Sequence, residues 1–417
     1  MTSKNNIPVG YKDSAVGVIP QKWEVKALGE AYKLQGGYAF KSELFVDSGI
    51  PIVRISNLPM DSNTVDIADC VYYPDTEIIK EQFVIKQGML LIAMSGATTG
   101  KTAIYRNADV AYLNQRVGMF CSKSDNITYN YLLQLVQSPL YSNALKPLLI
   151  AGAQPNIAPT DVENMKFPIP PMAEQRKIAE ILGVWDEAIE KQSRLIEKLE
   201  LRKRALMQRL LTGRTRLPGF TTPWQKRRMK DCFEHITDTS NGCEYLPMTI
   251  SARLGLISQK DKFDRVIAGD SLKKYTHIQK GDFAYNKGNS NLYEMGCIYR
   301  LKEQDAVVPF VYICFRPKQN VIGEFYQHFF INHGLDRQLK RIITSGARGD
   351  GLLNVDKTDF FELEIVYPPI AEQKAIAEVL TAADNEIATH RKKLDALRHQ
   401  KRGLMQQLLT GKTRVKI

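Results

Sequence analysis

The chain carries one segment twice, and this repeat constrains the fold more than any other feature of the sequence. Residues 170–216 and 368–414 align without a gap at an offset of 198 residues, and 23 of their 47 positions are identical. Each copy begins with two prolines and ends in Leu-Leu-Thr-Gly followed by a basic residue, Thr and Arg. The repeat predicts that the 417-residue chain consists of two related units, each ending in this segment.

The repeated segment is predicted to be one long helix. Pro170 and Pro171 suit a first helical turn, and Glu174 is favourable close to a helix N-terminus. Gly213 is placed to cap the C-terminal end. The stretch between them is about 40 residues long, so a single helix would extend roughly 60 Å.

Apolar residues recur along both copies at a spacing of 3.5 residues, which is typical of a coiled-coil seam. Polar residues interrupt both stripes at the same places, Gln192 and Lys203 in the first copy and His390 and Lys401 in the second. We expect the two helices to pack antiparallel about a pseudo-twofold axis, with the polar positions fixing the register. An amphipathic core helix is the alternative for either stripe alone. The predicted seam consists of Ile178, Leu182, Ile189, Ile196, Leu199, Leu206, Leu210, Ile376, Leu380, Ile387, Leu394, Leu397, Leu404 and Leu408.

The rest of the chain is predicted to form two α/β globular domains, because apolar runs of strand length alternate there with turn residues. Strand-like runs occur at 50–55, 89–94, 306–315 and 361–367, and short helices are expected at 127–136 and 322–331. The predicted class is α+β, with two globular domains separated and joined by two long antiparallel helices. The four predicted segments are 1–169, 170–216, 217–367 and 368–417.

Charge favours a polyanionic partner, and nucleic acid is the commonest one. Lys and Arg number 57 against 45 Asp and Glu, which gives a net charge of +12. The six cysteines include no Cys-x-x-Cys pair, so neither a zinc site nor a disulfide framework is expected. No apolar signal region opens the sequence and no run reaches membrane-spanning length, so we expect a cytoplasmic protein.

Residues 95–102, SGATTGKT, resemble a phosphate-binding loop and raise the alternative of a nucleotide hydrolase. That motif needs its first glycine five residues before the second, whereas here it falls one place late, at Gly96. The following residues 103–109 favour a strand and a turn, although the motif requires a helix. The corresponding stretch of the second unit, 286–291, has no Gly-Lys-Thr. Nucleotide hydrolysis is therefore disfavoured.

No other catalytic pattern occurs in both units. None of the six histidines lies in the first globular domain, so the units cannot share a histidine acid–base site. The Pro-Pro pairs lack the preceding Asn or Asp that marks an adenine methyltransferase. A non-catalytic chain is expected, and a coiled-coil scaffold with incidental basic charge is a further alternative.

The duplicated P-P-x-x-E-Q-x-x-I-A-x-x-L and L-L-T-G-[KR]-T-R segments, separated by two divergent domains, resemble the specificity subunit of a type I DNA restriction–modification system. Residues 37–42, 95–100 with 114–115, and 280–286 also resemble that family. The resemblance covers essentially the whole chain. Unit two departs from it by lacking the Gly-Tyr-Ala-Phe-Lys-Ser stretch, so that contact is not transferred there.

The resemblance implies a DNA-recognition subunit without catalytic activity. Each globular domain would read one half of a bipartite target in double-stranded DNA, and the helices would set the gap between the halves. Each unit would dock one modification subunit that methylates adenine with S-adenosylmethionine, and restriction subunits using ATP and Mg²⁺ would join. This chain would bind no cofactor or metal itself.

Loop residues able to read base edges or phosphates are the candidate DNA contacts, since Lys or Arg suits guanine and Asn or Gln suits adenine. In the first domain they are Tyr38, Lys41, Ser95, Thr98, Thr99, Lys101, Asn114, Gln115 and Gln154. In the second domain they are Lys287, Asn289, Ser290, Asn291 and Arg348.

Overall fold

The computed structural model describes residues 7–60, 62–149, 156–239, 245–263, 269–288, 292–343 and 353–417. The chain divides into two compact units. Unit 1 contains Met1–Gln192 and Lys393–Ile417, and unit 2 contains Ser193–Lys392. This division cuts through both repeated segments at their middle. The four-segment division drawn from the sequence stays a prediction.

Unit 1 contains twelve described strands and three short helices ahead of the first long helix. The strands are β1 (Tyr11–Lys12), β2 (Ile19–Pro20), β3 (Glu24–Ala27), β4 (Tyr32–Gly36), β5 (Ile50–Val53), β6 (Val71–Tyr73), β7 (Val84–Ile85), β8 (Leu90–Ala93), β9 (Thr102–Ile104), β10 (Ala111–Leu113), β11 (Val117–Ser122) and β12 (Lys166–Ile169). The helices are α1 (Tyr129–Val136), α2 (Pro139–Leu149), α3 (Pro159–Glu163) and α4 (Met172–Leu210).

Two four-stranded sheets form the body of unit 1. The first has the order β4-β11-β8-β9 and is antiparallel throughout. The second has the order β6-β5-β10-β7, in which only the β5–β10 pair is parallel. Strands β3 and β12 form a separate antiparallel pair next to α4 in sequence. One face of the first sheet packs on α1 and α2, and this core also takes in Ile178 and Leu182 of α4.

Unit 2 contains ten described strands, five short α-helices and the first part of the second long helix. The strands are β13 (Gln225–Arg228), β14 (Phe233–Ile236), β15 (Leu246–Ser251), β16 (Gly255–Ser258), β17 (Thr276–Ile278), β18 (Phe283–Asn286), β19 (Cys297–Arg300), β20 (Ala306–Val308), β21 (Ile313–Pro317) and β22 (Glu364–Tyr367). The helices are α5 (Met229–Cys232), α6 (Gln259–Phe263), α7 (Gly323–Ile331), α8 (Asp336–Ile342), α9 (Lys357–Glu362) and α10 (Ile370–Leu408).

The two four-stranded sheets of unit 2 repeat those of unit 1 strand for strand. The order β14-β21-β18-β19 reproduces the first sheet, and β16-β15-β20-β17 reproduces the second. The pair β15–β20 is parallel at the place where β5–β10 is parallel. Strands β13 and β22 pair as β3 and β12 do. Each unit therefore has the same topology although the globular sequences match only loosely.

The short helices at the two predicted places are confirmed as α1 and α7. Two of the predicted strands are wrong in extent. The run 306–315 splits into β20 and β21, because Pro309 has no N–H to donate and residues 309–312 turn instead. The run 361–367 contains a strand only from Glu364, since Phe361 belongs to the last turn of α9.

Both repeated segments form helices of 39 residues, as their sequences predict. Gly213 and Gly411 follow them with φ values of +69° and +72°, a left-handed conformation that favours glycine at a helix C-terminus. The side chains of Gln175 and Gln373 form equivalent hydrogen bonds at the starts of the two long helices. Each donates to the carbonyl of the first proline and accepts a backbone N–H at the start of the helix α1 or α7.

Within each unit, segments of α4 and α10 form ion pairs. In unit 1, Lys401 Nζ lies 2.6 Å from Asp186. In unit 2 the pairs are Glu200–Arg391, Arg202–Glu386 and Lys203–Asp384, whose order along the two helices is opposite. The paired segments of unit 2 therefore run antiparallel.

The predicted seam residues differ in burial. Buried members are Ile178, Leu182, Ile196, Leu199, Leu210, Ile376, Leu380, Ile387, Leu394 and Leu408. Half-buried members are Ile189, Leu206, Leu397 and Leu404. Two of the polar positions within the stripe, Gln192 and Lys401, are buried as well.

Candidate nucleic-acid interface

The loop of residues 94–101 is the turn of a β-hairpin between β8 and β9. Gly100 N–H donates to the Ala93 carbonyl over 2.8 Å, and Lys101 N–H donates to the Thr98 carbonyl over 2.9 Å. Gly96 and Gly100 both have φ of +82°, which explains two glycines in so short a loop. The residues after Lys101 form strand β9 rather than a helix. The helix N-terminus that a phosphate-binding loop requires is therefore missing at this place.

Hydrogen bonds hold the side chains of this loop in place. Thr99 Oγ1 donates to the Gly96 carbonyl over 2.6 Å, and Thr98 Oγ1 donates to the Ile55 carbonyl over 3.4 Å. Lys101 Nζ lies 3.0 Å from Asn63 Oδ1. Both threonines and Lys101 are half-buried, so the loop presents them on a preformed surface.

Ser95 joins the hairpin to the segment that precedes α3. It forms an antiparallel bridge with Asn156, next to a 2.9 Å bond from Ile157 N–H to the Met94 carbonyl. Its Oγ is buried and has no hydrogen-bond partner among the described residues. A buried hydroxyl in this state is stabilised by any ligand group that completes its hydrogen bond.

A second turn, at residues 114–116, lies against the hairpin loop. Arg116 contributes its carbonyl to Met94 N–H over 2.8 Å, and Asn114 N–H donates to Val53 over 3.2 Å. Asn114 Oδ1 accepts the Arg116 N–H over 3.2 Å. Gln115 and Arg116 are exposed. The structure therefore brings the predicted residues 95, 98, 99, 101, 114 and 115 together on adjoining turns.

Tyr38 lies next to the turn at residues 114–116. Its N–H donates to Leu113 over 2.8 Å, and its carbonyl accepts Gln115 N–H over 2.9 Å. The preceding Gly37 has no room for a side chain, because a Cβ there would lie 2.1 Å from the Asn114 carbonyl oxygen. The exposed Tyr38 ring packs on Phe40 and Phe83. Lys41 is exposed three residues further on.

Lys287 is the one predicted residue of unit 2 that the structure describes, and it follows β18 as the hairpin loop of unit 1 follows β8. Its carbonyl accepts Leu353 N–H over 2.9 Å. The pKa of the Asp356 carboxyl is lowered mainly by hydrogen bonds from Thr358, with a smaller contribution from the Lys287 charge. The predicted contacts Gln154, Asn289, Ser290, Asn291 and Arg348 lie outside the described residues.

Sequence reasoning missed a buried carboxylate in the first turn of each long helix. In unit 1, Trp23 Nε1 donates to Glu174 over 3.1 Å and Arg414 Nε donates to the same carboxylate over 3.0 Å. In unit 2, Trp224 Nε1 and Arg216 Nε donate to Glu372 over 2.8 and 2.6 Å. The identity of all three residue types in both units was a visible signal for this site.

Arg116 was also missed, although it neighbours two predicted contacts in the sequence. Its exposed side chain adds a cation to the surface formed by the two turns. Among the residues that the structure describes, no group of His, Cys, Asp and Glu side chains is arranged to hold a metal ion. No helix in those ranges is long and apolar enough to cross a membrane.

The sequence is similar to proteins of one family. The family described as the type I restriction modification DNA specificity domain matches residues 20–201 and 266–399. The chain is 26% identical, over an alignment of 437 positions, to the putative type I restriction enzyme MjaX specificity subunit of Methanocaldococcus jannaschii, covering 97% of both proteins. The MjaVIII specificity subunit of the same organism is 33% identical over 212 residues, which are 50% of this chain and 49% of that protein.

A solved structure and a further sequence relative show similarity to the same family. The S subunit of a type I restriction–modification system from M. genitalium superposes with a TM-score of 0.55 at 13% identity, covering 98% of both chains. The EcoKI specificity subunit of Escherichia coli K12 is 23% identical over 87% of this chain and 82% of its own length. Since the family match covers well over half of the residues, this chain belongs to the type I restriction–modification DNA specificity family.

Proposed function

We propose that this chain reads a bipartite DNA target, with one half-site recognised by the globular part of each unit. The observation that carries the proposal is the repeated topology. Both units have the same strand order in their four-stranded sheets, and the residues that follow the equivalent strands β8 and β18 differ in sequence. Two domains with the same backbone topology and different loop sequences suit the recognition of two different half-sites. Basic surface supplies sequence-independent affinity, and loop side chains supply discrimination.

We propose further that α4 and α10 form an antiparallel coiled coil with pseudo-twofold symmetry, and that its length sets the gap between the half-sites. Support comes from the equivalent pairs Lys401–Asp186 and Lys203–Asp384, in which each helix supplies one lysine and one aspartate. A partly buried charged pair of this kind disfavours shifted alignments, since a shift by one turn leaves both charges unpaired. The register, and so the spacing, is thereby fixed.

The chain itself performs no chemistry in this proposal. Each unit docks one modification subunit, which carries S-adenosylmethionine and methylates adenine, and restriction subunits bring ATP and Mg²⁺. The duplication of the helical segments supports two docking sites, one in each unit. Native mass spectrometry of the assembled complex should show two modification subunits for each chain.

Reconstitution with purified subunits tests the proposal. The modification subunit is incubated with labelled S-adenosylmethionine and DNA, in the presence and in the absence of this chain. We expect methyl transfer to defined sites only when the chain is present, and none from the chain alone. Site-specific methylation by the modification subunit alone would overturn the proposal, as would ATP hydrolysis by the purified chain that is lost in Lys101→Ala.

A further inference from the structure

Helices α2 and α8 occupy the same position in their units, between the preceding helix α1 or α7 and the later helix α3 or α9. Both insert two apolar side chains into the core at matching places. In unit 1 these are Tyr141 and Leu145, and in unit 2 they are Leu335, just ahead of the helix, and Leu339. The matching inward residues fix which positions of each helix point outward.

Each of these helices lies beside the hairpin that carries the candidate DNA-reading loop. In unit 1, a Cβ added to Gly100 would lie 2.0 Å from a methyl group of Leu145 on α2. In unit 2, the ring of Tyr293 from the β18–β19 connection packs 4.9 Å from the ring of His333. His333 in turn bonds the first residue of α8 through Nδ1 to Asp336 Oδ2 over 2.8 Å. Helix α2 and the start of α8 therefore lie close to the corresponding hairpin of their own unit.

The outward faces differ in charge. On α8 the exposed residues are Arg337, Lys340 and Arg341. The corresponding residues of α2 are Asn143, Lys146 and Pro147, also exposed, and Lys146 Nζ bonds Asn143 Oδ1 over 3.1 Å. Unit 2 thus carries three cations where unit 1 carries one.

Neither Arg337, Lys340 nor Arg341 forms an ion pair with another described residue, and the nearest acidic residue in sequence, Asp336, bonds His333 instead. Some other exposed cations of unit 2 are paired, for example Arg228 and Lys230, which share Glu362. Unpaired cations on one face beside a DNA-reading loop suit a row of phosphates, whose condensed counterions they release on binding.

We propose that Arg337, Lys340 and Arg341 form a phosphate-backbone contact surface on unit 2 that unit 1 lacks. The two recognition domains then contribute unequally to sequence-independent affinity, and unit 2 holds the DNA more strongly at its half-site. This inference rests on the proposed DNA-recognition function. The surface positions the DNA and carries no base specificity of its own.

The test uses the full complex with modification subunits and compares the wild type with the triple variant R337Q/K340Q/R341Q. DNA affinity is measured over a range of salt concentrations for the cognate target and for a scrambled sequence. Three lost phosphate contacts reduce the magnitude of the slope of log affinity against log salt by about 2.7. Doubling the salt concentration therefore weakens the DNA affinity of the wild type about sixfold more than that of the variant. The ratio of cognate to scrambled affinity stays unchanged.

Two further variants test whether the position of the removed charges matters and whether added charges have the opposite effect. K226Q/R228Q/K230Q removes the same net charge from cations already paired with Glu362 and Glu364, and should leave the slope unchanged. N143R/P147R gives α2 the charges of α8 and should raise the slope by about 1.8.

The outcomes separate this inference from the function on which it rests. A wild-type complex without sequence-specific binding contradicts the proposed function. Specific binding with an unchanged slope in R337Q/K340Q/R341Q overturns the α8 surface alone. A lost cognate preference at constant slope assigns these residues to base reading, and release of the modification subunit assigns them to protein docking. Either result also overturns the inference.

Discussion

The ammonium group of Lys401 lies 2.6 Å from the carboxylate of Asp186, and only 6% of the Lys401 residue is exposed. Asp186 also accepts a 2.8 Å hydrogen bond from Gln134 Nε2 of α1. A single carboxylate thus joins both long helices to the globular part of unit 1. Three predictions follow from this contact, its counterpart in unit 2 and the carboxylate sites near the ends of the helices.

Replacing Lys401 by Met leaves Asp186 without its cation in a partly buried site. We expect the unfolding free energy of unit 1 to fall by about 2 kcal/mol, below the usual cost of breaking a buried pair because Asp186 is partly exposed. Thermal unfolding of the purified complex measures the loss. Lys198→Met, at an exposed position of α4, is the control and should be close to neutral. Equal melting temperatures for Lys401→Met and the wild type would contradict this.

His328 takes the place in unit 2 that Gln134 takes in unit 1, and it should make unit 2 sensitive to acid. Burial, followed by the Lys203 charge, lowers the pKa of His328 to about 4. Its Nδ1 lies 3.9 Å from Asp384, the counterpart of Asp186. The charged groups around the ring are Lys203, Lys302, Glu324 and Asp384.

The unfolded chain binds a proton at His328 below its ordinary pKa of 6.5, whereas the folded chain does so only near pH 4. Stability contributed by neutral His328 is therefore fully present above pH 6.5 and is lost as the pH falls toward 4, by at most about 3 kcal/mol. We expect the melting temperature to fall less between pH 7 and pH 5 in His328→Gln than in the wild type. Identical pH profiles would remove His328 as the cause.

Glu174 is almost fully buried between Trp23 and Arg414. Glu174→Gln removes the charge that compensates Arg414 and should lower the melting temperature of unit 1 by about 5 °C. The matched substitution Glu180→Gln, at an exposed position of the same helix, should change it little. Should both variants melt alike, the buried site has no role in holding the end of the repeated segment.

Lys101→Ala tests the reading loop of unit 1. We expect about tenfold weaker binding to cognate DNA, because the lysine contact with a base edge or phosphate is lost. The modification subunits should stay bound, since the loop lies outside the repeated segments that are proposed to dock them. Lys86→Ala, which removes an exposed cation paired with Glu81, serves as the control. Unchanged affinity in Lys101→Ala would exclude this lysine from the interface.

The sequence predicts the long helices, the two short helices α1 and α7 and the family, because those features depend on local periodicity or on the repeat. It does not predict the split of residues 306–315 or the end of α9, where one proline or one helical turn changes the outcome. The Glu174 and Glu372 sites escape sequence reasoning for another reason. Their arginines, Arg414 and Arg216, are distant in the chain, and only the fold brings each one to its carboxylate.

Methylome sequencing tests the central claim most directly. Cells that express this chain with its modification subunit are compared with cells that lack only this chain. The account predicts one two-part motif, with N6-methyladenine in each half on opposite strands, that disappears with the chain. A complex that assembles and binds DNA but adds no methylation, or adds it at a continuous motif without a spacer, would contradict the account.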